Sequence, residues 1–131
     1  MAEPELDKPV IWFSLSDGKM AEAKDLLRLG HWRGAVSAAY YTMFYAAKAA
    51  LVSVGVDLRK HSGLGSNLSE HFVKTGKLDQ RFNQMLMQAM RARELSDYDP
   101  HEAITQAGAK QALANAEAFV AAIKQIVVKP I

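Results

Sequence analysis

Apolar residues recur along most of the chain at three- and four-residue steps, the period of a helix, and no segment shows the convincing two-residue alternation of a strand. Met20, Ala23, Leu26 and Leu27 share one face of a first helix, from about Ser14–Asp17 to Leu29, which Gly30 ends. The dipeptide "HW" leads into a long second helix, from about Trp32 to Val54, stopped by Gly55. Its main stripe is Val36, Tyr40, Met43, Ala47, Ala50, Leu51 and Val54. A second stripe carries Ser37, Tyr41 and Tyr45, with Lys48 beside it. So many alanines imply close packing on more than one side, which places this helix at the centre.

Residues 56–79 hold a short helix with Ser62 as its cap and with Leu64, Leu68 and Phe72 spaced by four; Thr75–Gly76 closes it. Asp79 caps a third helix whose apolar positions are Phe82, Met85, Leu86, Ala89 and Met90. "DPHE" at 99–102 then reads as the start of a fourth: Asp at the cap, Pro in the first turn, Glu three residues after the cap. Leu113, Ala116, Val120, Ile123 and Val127 form its stripe. The pattern predicts an all-α, up-and-down bundle of four main helices, with one short helix between the second and third. It is read as a single domain over 1–131, residues 1–13 being a loosely ordered N-terminal segment.

Composition narrows the function. At 131 residues and 50% hydrophobic, the chain has material for one real core. A net charge of +2 without a basic block excludes the usual duplex-binding surface but leaves local RNA contact open. The absence of cysteine excludes disulfides, thiol nucleophiles and cysteine metal sites. The longest apolar run, "FVAAIKQIVV", is broken by Lys124 and Gln125 and falls short of the ~20 residues of a membrane span. "MAEPELDKP" is acidic and unlike a signal peptide, so a cytoplasmic location is expected, with no membrane association. His31, His61, His71 and His101 are scattered, with no i, i+4 pair, so neither a metal site nor a cofactor is expected.

The chemistry concentrates in "MRARELSDYDP", residues 90–100. On a wheel of ~100° per residue, Arg93 falls on the apolar side of the third helix, and Arg91 faces the opposite way. Asp97 follows Arg93 by one turn. An arginine on a core stripe keeps its proton and needs carboxylate or phosphate partners. Arg93 either ties the third helix to its neighbour through Asp97, or lines a polar pocket and receives an anion, and the two are compatible. Tyr41, Tyr45 and Lys48 face water, a partner subunit or that same pocket. His61 bonds a loop carbonyl or reaches the pocket.

These residues carry a family resemblance. "AAYYTMFYAAKAAL", then "HSG", "FVKTGKLD" and "RARELSDYDP", in this order and spacing, resemble the HEPN domain, and more narrowly the small stand-alone bacterial and archaeal HEPN proteins. The resemblance covers nearly the whole chain after about residue 16. It implies a helical bundle, usually a homodimer, often paired with a minimal nucleotidyltransferase as in toxin–antitoxin systems. It also implies a metal-independent ribonuclease motif, Arg followed after four to six residues by His. Arg93 matches the arginine, but Tyr98 stands after four intervening positions where the family has His.

The candidate catalytic residues are therefore Arg93, Asp97 and Tyr98. The candidates for nucleotide or RNA binding are Arg93, Tyr41, Lys48 and His61. In some family pairs the transferase attaches a nucleotide to a tyrosine near the motif, which makes Tyr98 the acceptor here. A tyrosine near pKa ~10 is a poor neutral-pH base where histidine is a good one. A nucleotide- or RNA-binding module is thus expected ahead of a ribonuclease, with a purely structural dimerising bundle as the third reading.

Overall fold

Proline 9 sets the first boundary. Its fixed φ and missing N–H suit the first position of a helix, and α1 runs Pro9–Arg28 behind an extended Lys8. α1 thus begins ahead of the expected start at Ser14–Asp17, and residues 9–13 of the segment read as loosely ordered are helical. The computed structural model describes residues 6–58, 63–98 and 104–127, and only the backbone of 96–98. The other helices are α2 (Trp32–Ser53), α3 (Leu64–Leu68), α4 (Gln80–Tyr98) and α5 (Gln106–Ile126), with a π-turn over Ser69–Val73 after α3. Among the described residues there is no strand, and the architecture is all-α.

Glycine ends α1 as its sequence suggests. Gly30 has φ 82°, and the His31 and Gly30 amides donate to the Leu26 and Leu27 carbonyls at 2.9 and 3.1 Å. That is a left-handed helix end satisfying two otherwise orphaned carbonyls. The short helix differs from its expectation. It lengthens into the π-turn, where the Lys74 amide reaches the Ser69 carbonyl at 2.9 Å. Its cap position is Gly63, and Ser62 lies outside the described residues. Asp79 caps α4 as expected, accepting from the Arg81 amide at 2.9 Å.

The start of the last helix is a correction. Asp99, Pro100, His101 and Glu102 lie outside the described residues, and α5 begins at Gln106. Its cap is Thr105, whose hydroxyl oxygen accepts from the Gly108 amide at 3.0 Å. Ile104, just before that cap, packs on the core. A hydroxyl cap preceded by a partly buried apolar residue is a sufficient start signal, and it competes with the Asp99 cap of "DPHE" six residues upstream.

α2 is central as expected, packing against α1, α3, α4 and α5. Ala35, Ala46, Ala47, Ala49 and Ala50 on it have no exposed surface. Its own Met43 and Leu51 are fully buried, and its neighbours add Leu68, Phe72, Phe119 and Ile123, which are essentially fully buried. Phe119 lies beside the stripe expected for the last helix and belongs to its buried face. Val54, placed at the end of the second helix's stripe, is exposed because it is the residue that caps α2. One polar link crosses the core: the buried Ser16 hydroxyl donates to the Thr42 carbonyl at 2.7 Å, joining α1 to α2.

With α2 enclosed on several sides, a larger residue at an alanine position has nowhere to go. Ala47→Leu is expected to destabilise the chain by about 1–3 kcal/mol through overpacking. Urea denaturation checks it: the midpoint falls and the slope is unchanged.

Candidate functional site

Two helices bring cations to a pair of rings on a third. Arg93, on the inward side of α4, is half-buried, its Nε shielded from solvent. Arg91, two residues earlier, is exposed, so the expected difference between the two arginines holds. The Arg93 guanidinium carbon lies 5.2 Å from the centre of the Tyr40 ring and 5.6 Å from that of Tyr41, both on α2. Lys19 of α1 reaches the Tyr41 ring at 5.7 Å. Tyr40 and Tyr41 meet edge to face, 5.1 Å apart. Cations within about 6 Å of a ring centre are attracted by its negative face, by ~0.5–1 kcal/mol when exposed and ~2 when desolvated.

The phenol beneath Arg93 is not a base. Burial pushes the Tyr40 hydroxyl above its ordinary value, Arg93 pulls it back, and Tyr41 and Glu94 push it further up. At neutral pH Tyr40 is a protonated hydrogen-bond donor. A fixed cation beside a phenol that keeps its proton suits holding an anion such as a phosphate oxygen. It does not remove a proton. Among the described residues, no group of His, Asp or Glu side chains is arranged to hold a metal ion.

The sequence that folds into this all-α bundle matches a known family. The model of the HEPN domain matches residues 10–126. The chain belongs to the HEPN domain family. A UPF0332 protein of Thermotoga maritima is 30% identical over 106 residues, 81% of this chain and 80% of that protein. A Methanocaldococcus jannaschii protein named "Putative toxin MJ0605" is 28% identical over 111 residues, 85% of this chain and 82% of that protein. UPF0332 protein PH1297 of Pyrococcus horikoshii is 39% identical over 72 residues, 55% of this chain, which spans about half of that relative at 51%.

Not every expected residue joins this group. Arg93 and Tyr41 come together, with Tyr40, which periodicity had assigned to the core stripe alone. The backbone of α4 continues through Asp97 to Tyr98, but both side chains lie outside the described residues, as does His61. Lys48 is elsewhere, ~10 Å further along α2 than Tyr41 at 1.5 Å per residue. Its Nζ sits 4.6 Å from the Trp12 ring centre and 5.0 Å from that of Phe44. The stripe question thus has a divided answer: Tyr41 meets Arg93, whereas Tyr45 stacks on Trp12 of α1, ring centres 6.0 Å apart at 24°. Trp12 and Lys19 were absent from the sequence candidates. Trp12 fell in the segment read as loose, and Lys19 joins the group only through tertiary packing.

Burial also acts on Lys48, pushing its ammonium below the ordinary lysine value. A folded pKa below the unfolded one means the unfolded chain holds more protons between the two, so stability rises with pH across that interval. Relative to Lys48→Met, the wild-type chain is expected to gain stability as pH climbs from the lowered value toward about 10.5. Below both values the difference between the two proteins stays flat. Urea titrations of both at stepped pH measure it, and parallel curves throughout exclude the effect.

Proposed function

We propose that this HEPN domain is a nucleotide- or RNA-binding module, one half of a toxin–antitoxin-like pair whose other half is a nucleotidyltransferase. The observation that carries this reading is Arg93, a half-buried cation set over Tyr40 and Tyr41 at the position that resembles the family arginine. The guanidinium takes a phosphate oxygen, and the tyrosine pair offers a surface for a base or sugar, as in single-strand recognition. The printed name of the M. jannaschii relative supports the toxin side of the reading. The ribonuclease alternative, with Arg93, Asp97 and an R-x4-Y motif, gains no support from Tyr40, whose phenol is pushed away from neutrality.

Arg93→Ala tests the module. Binding of a fluorescein-labelled single-stranded RNA at fixed salt is expected to weaken about tenfold or more, and any growth arrest on induction is relieved. A variant that loses thermal stability without any change in RNA binding identifies the structural bundle instead. Cleavage of the RNA by the parent chain, lost in the variant, identifies the ribonuclease.

The pairing reading makes the chain a homodimer that presents Tyr98 to its transferase partner. The half-exposed aromatics Tyr41, Phe44 and Tyr45 supply apolar surface of the kind that partners cover. After co-expression with a minimal nucleotidyltransferase and ATP, the purified chain is expected to sediment as a dimer. Its mass is expected to rise by one nucleotidyl group at Tyr98. A monomer at micromolar concentration, or an unchanged mass in Tyr98 peptides, removes the corresponding half of the reading.

A further inference from the structure

A cleft between α4 and α5 lies against the ring that Arg93 covers. Tyr40, whose ring centre is 5.2 Å from the Arg93 guanidinium carbon, lines it from α2 together with Met43. One wall is α4, with Ala89 and Ala92 respectively one turn and one residue before Arg93 in the same helix. The other wall is α5, with Gly108 and Ala112. Every residue that lines the cleft is among the described residues.

Small residues on both walls make this a slot. At the seams of α2 alanines are wholly buried because the helices close over them. Ala89, Ala92 and Ala112 are only partly buried, so α4 and α5 stand apart above them. The volume is about 240 Å³. That is below the ~300–1,000 Å³ of sites for drug-sized ligands, which limits an occupant to a body the size of a single ring system. The polar groups come from one side. The Gln111 amide Nε2 donates to Asn115 Oδ1 at 2.9 Å, one turn on along α5, and both residues line the cleft. That bond orients the pair and leaves the Asn115 amide N–H groups and the Gln111 amide carbonyl to an occupant. Apolar walls with a donor and an acceptor at one side suit a body with apolar faces and a mixed polar edge, which is the profile of a nucleobase. A hydrocarbon side chain would gain nothing from the amides, and an anion is better served at Arg93.

We propose that the cleft between α4 and α5 is a nucleobase subsite, seating one unstacked base of a strand whose phosphate Arg93 holds, with the polar edge of the base at Gln111 and Asn115. The proposal rests on the RNA-binding reading and adds where the base goes. Tyr40 joins the two parts, since the ring beneath Arg93 also lines the cleft. Every base has an edge with donors and acceptors, so the subsite separates a base from no base more sharply than one base from another.

Adenosine carries a base and no phosphate, so it probes the cleft without calling on Arg93. Methyl-labelled methionines report on it by NMR: Met43 and Met85 line the cleft, whereas Met20 lies on α1. Adenosine is expected to shift the Met43 and Met85 methyl signals saturably at millimolar concentration and to leave Met20 in place, while ribose shifts none of them. Ala112→Leu, which fills the slot, is expected to weaken adenosine at least about tenfold, and Asn115→Ala about threefold. Asn115→Ala decides the matter where Ala112→Leu melts early by circular dichroism. Absence of saturation at about 10 mM adenosine overturns the assignment. So does an equal response to ribose, or a folded variant that binds as the parent does. Saturation by benzene without saturation by adenosine also overturns it, and identifies a seat for an apolar side chain of a protein partner. Because adenosine lacks phosphate, its failure leaves the Arg93 reading standing. A failed RNA test of Arg93→Ala, in turn, leaves the cleft to its own titration.

Discussion

A helix with neighbours on several sides can seat large side chains on only part of its surface, and the rest of the structure follows from how α2 meets that constraint. Helix axes reach the near end of their usual ~8–10 Å separation only where the residues between them are small. α2 accordingly supplies alanines at its seams, with Ala35, Ala46, Ala47, Ala49 and Ala50 wholly buried. An alanine removes little apolar area from water, so beyond Met43 and Leu51 of α2 itself the hydrophobic stabilisation comes from the helices around it. Phe72, Leu68, Phe119 and Ile123 do this from the π-turn, α3 and α5. Each such side chain contributes ~1.5–3 kcal/mol by burial, and the alanine seam is what lets them reach α2.

The same constraint produces the aromatic edge. Where α2 is incompletely covered, between α1 and α4, it presents Tyr40, Tyr41, Phe44 and Tyr45 in an unbroken series of ring contacts. Those rings are too large for the seams and only half-buried at the edge, apart from Tyr40. They gather cations: Arg93 and Lys19 at one end, Lys48 at the other. The surface ion pairs, such as Lys24–Glu117 at 3.5 Å with both partners exposed, contribute ~0–1 kcal/mol each. The cation–ring contacts at the edge are half-buried, where attraction is screened less than at the open surface.

How much of this the sequence revealed depends on how local each determinant is. The helix periods of α2 and α4, the glycine end of α1 and the Asp79 cap are set by residues within one or two turns of each other. All four were legible. The inward direction of Arg93 was legible too, because Phe82, Met85, Leu86, Ala89 and Met90 define the face it shares. The start of α5 was not, since "DPHE" and Ile104–Thr105 are both sound local start signals and only packing chooses between them. Trp12 was missed for a related reason: Pro9 reads equally well as punctuation in a loop or as the first residue of a helix. Tyr40 was assigned to the core by its period, and nothing within α2 announces that Arg93, over fifty residues later, lies across its ring.

What chemistry the edge can support follows from which protons are held. Burial raises Tyr40 and lowers Lys48, so each group is shifted towards its neutral form. A neutral phenol under a permanently charged guanidinium makes an acceptor of anions whose charge state does not change near pH 7. Proton transfer in that range needs a group that titrates there, and Tyr40, pushed up by burial, is not one. Under the proposed reading, the described part of the site binds and orients. Any acid–base step must enter from beyond it, at the end of α4 where Asp97 and Tyr98 follow Arg93 in the chain, or from a partner docked against the aromatic edge.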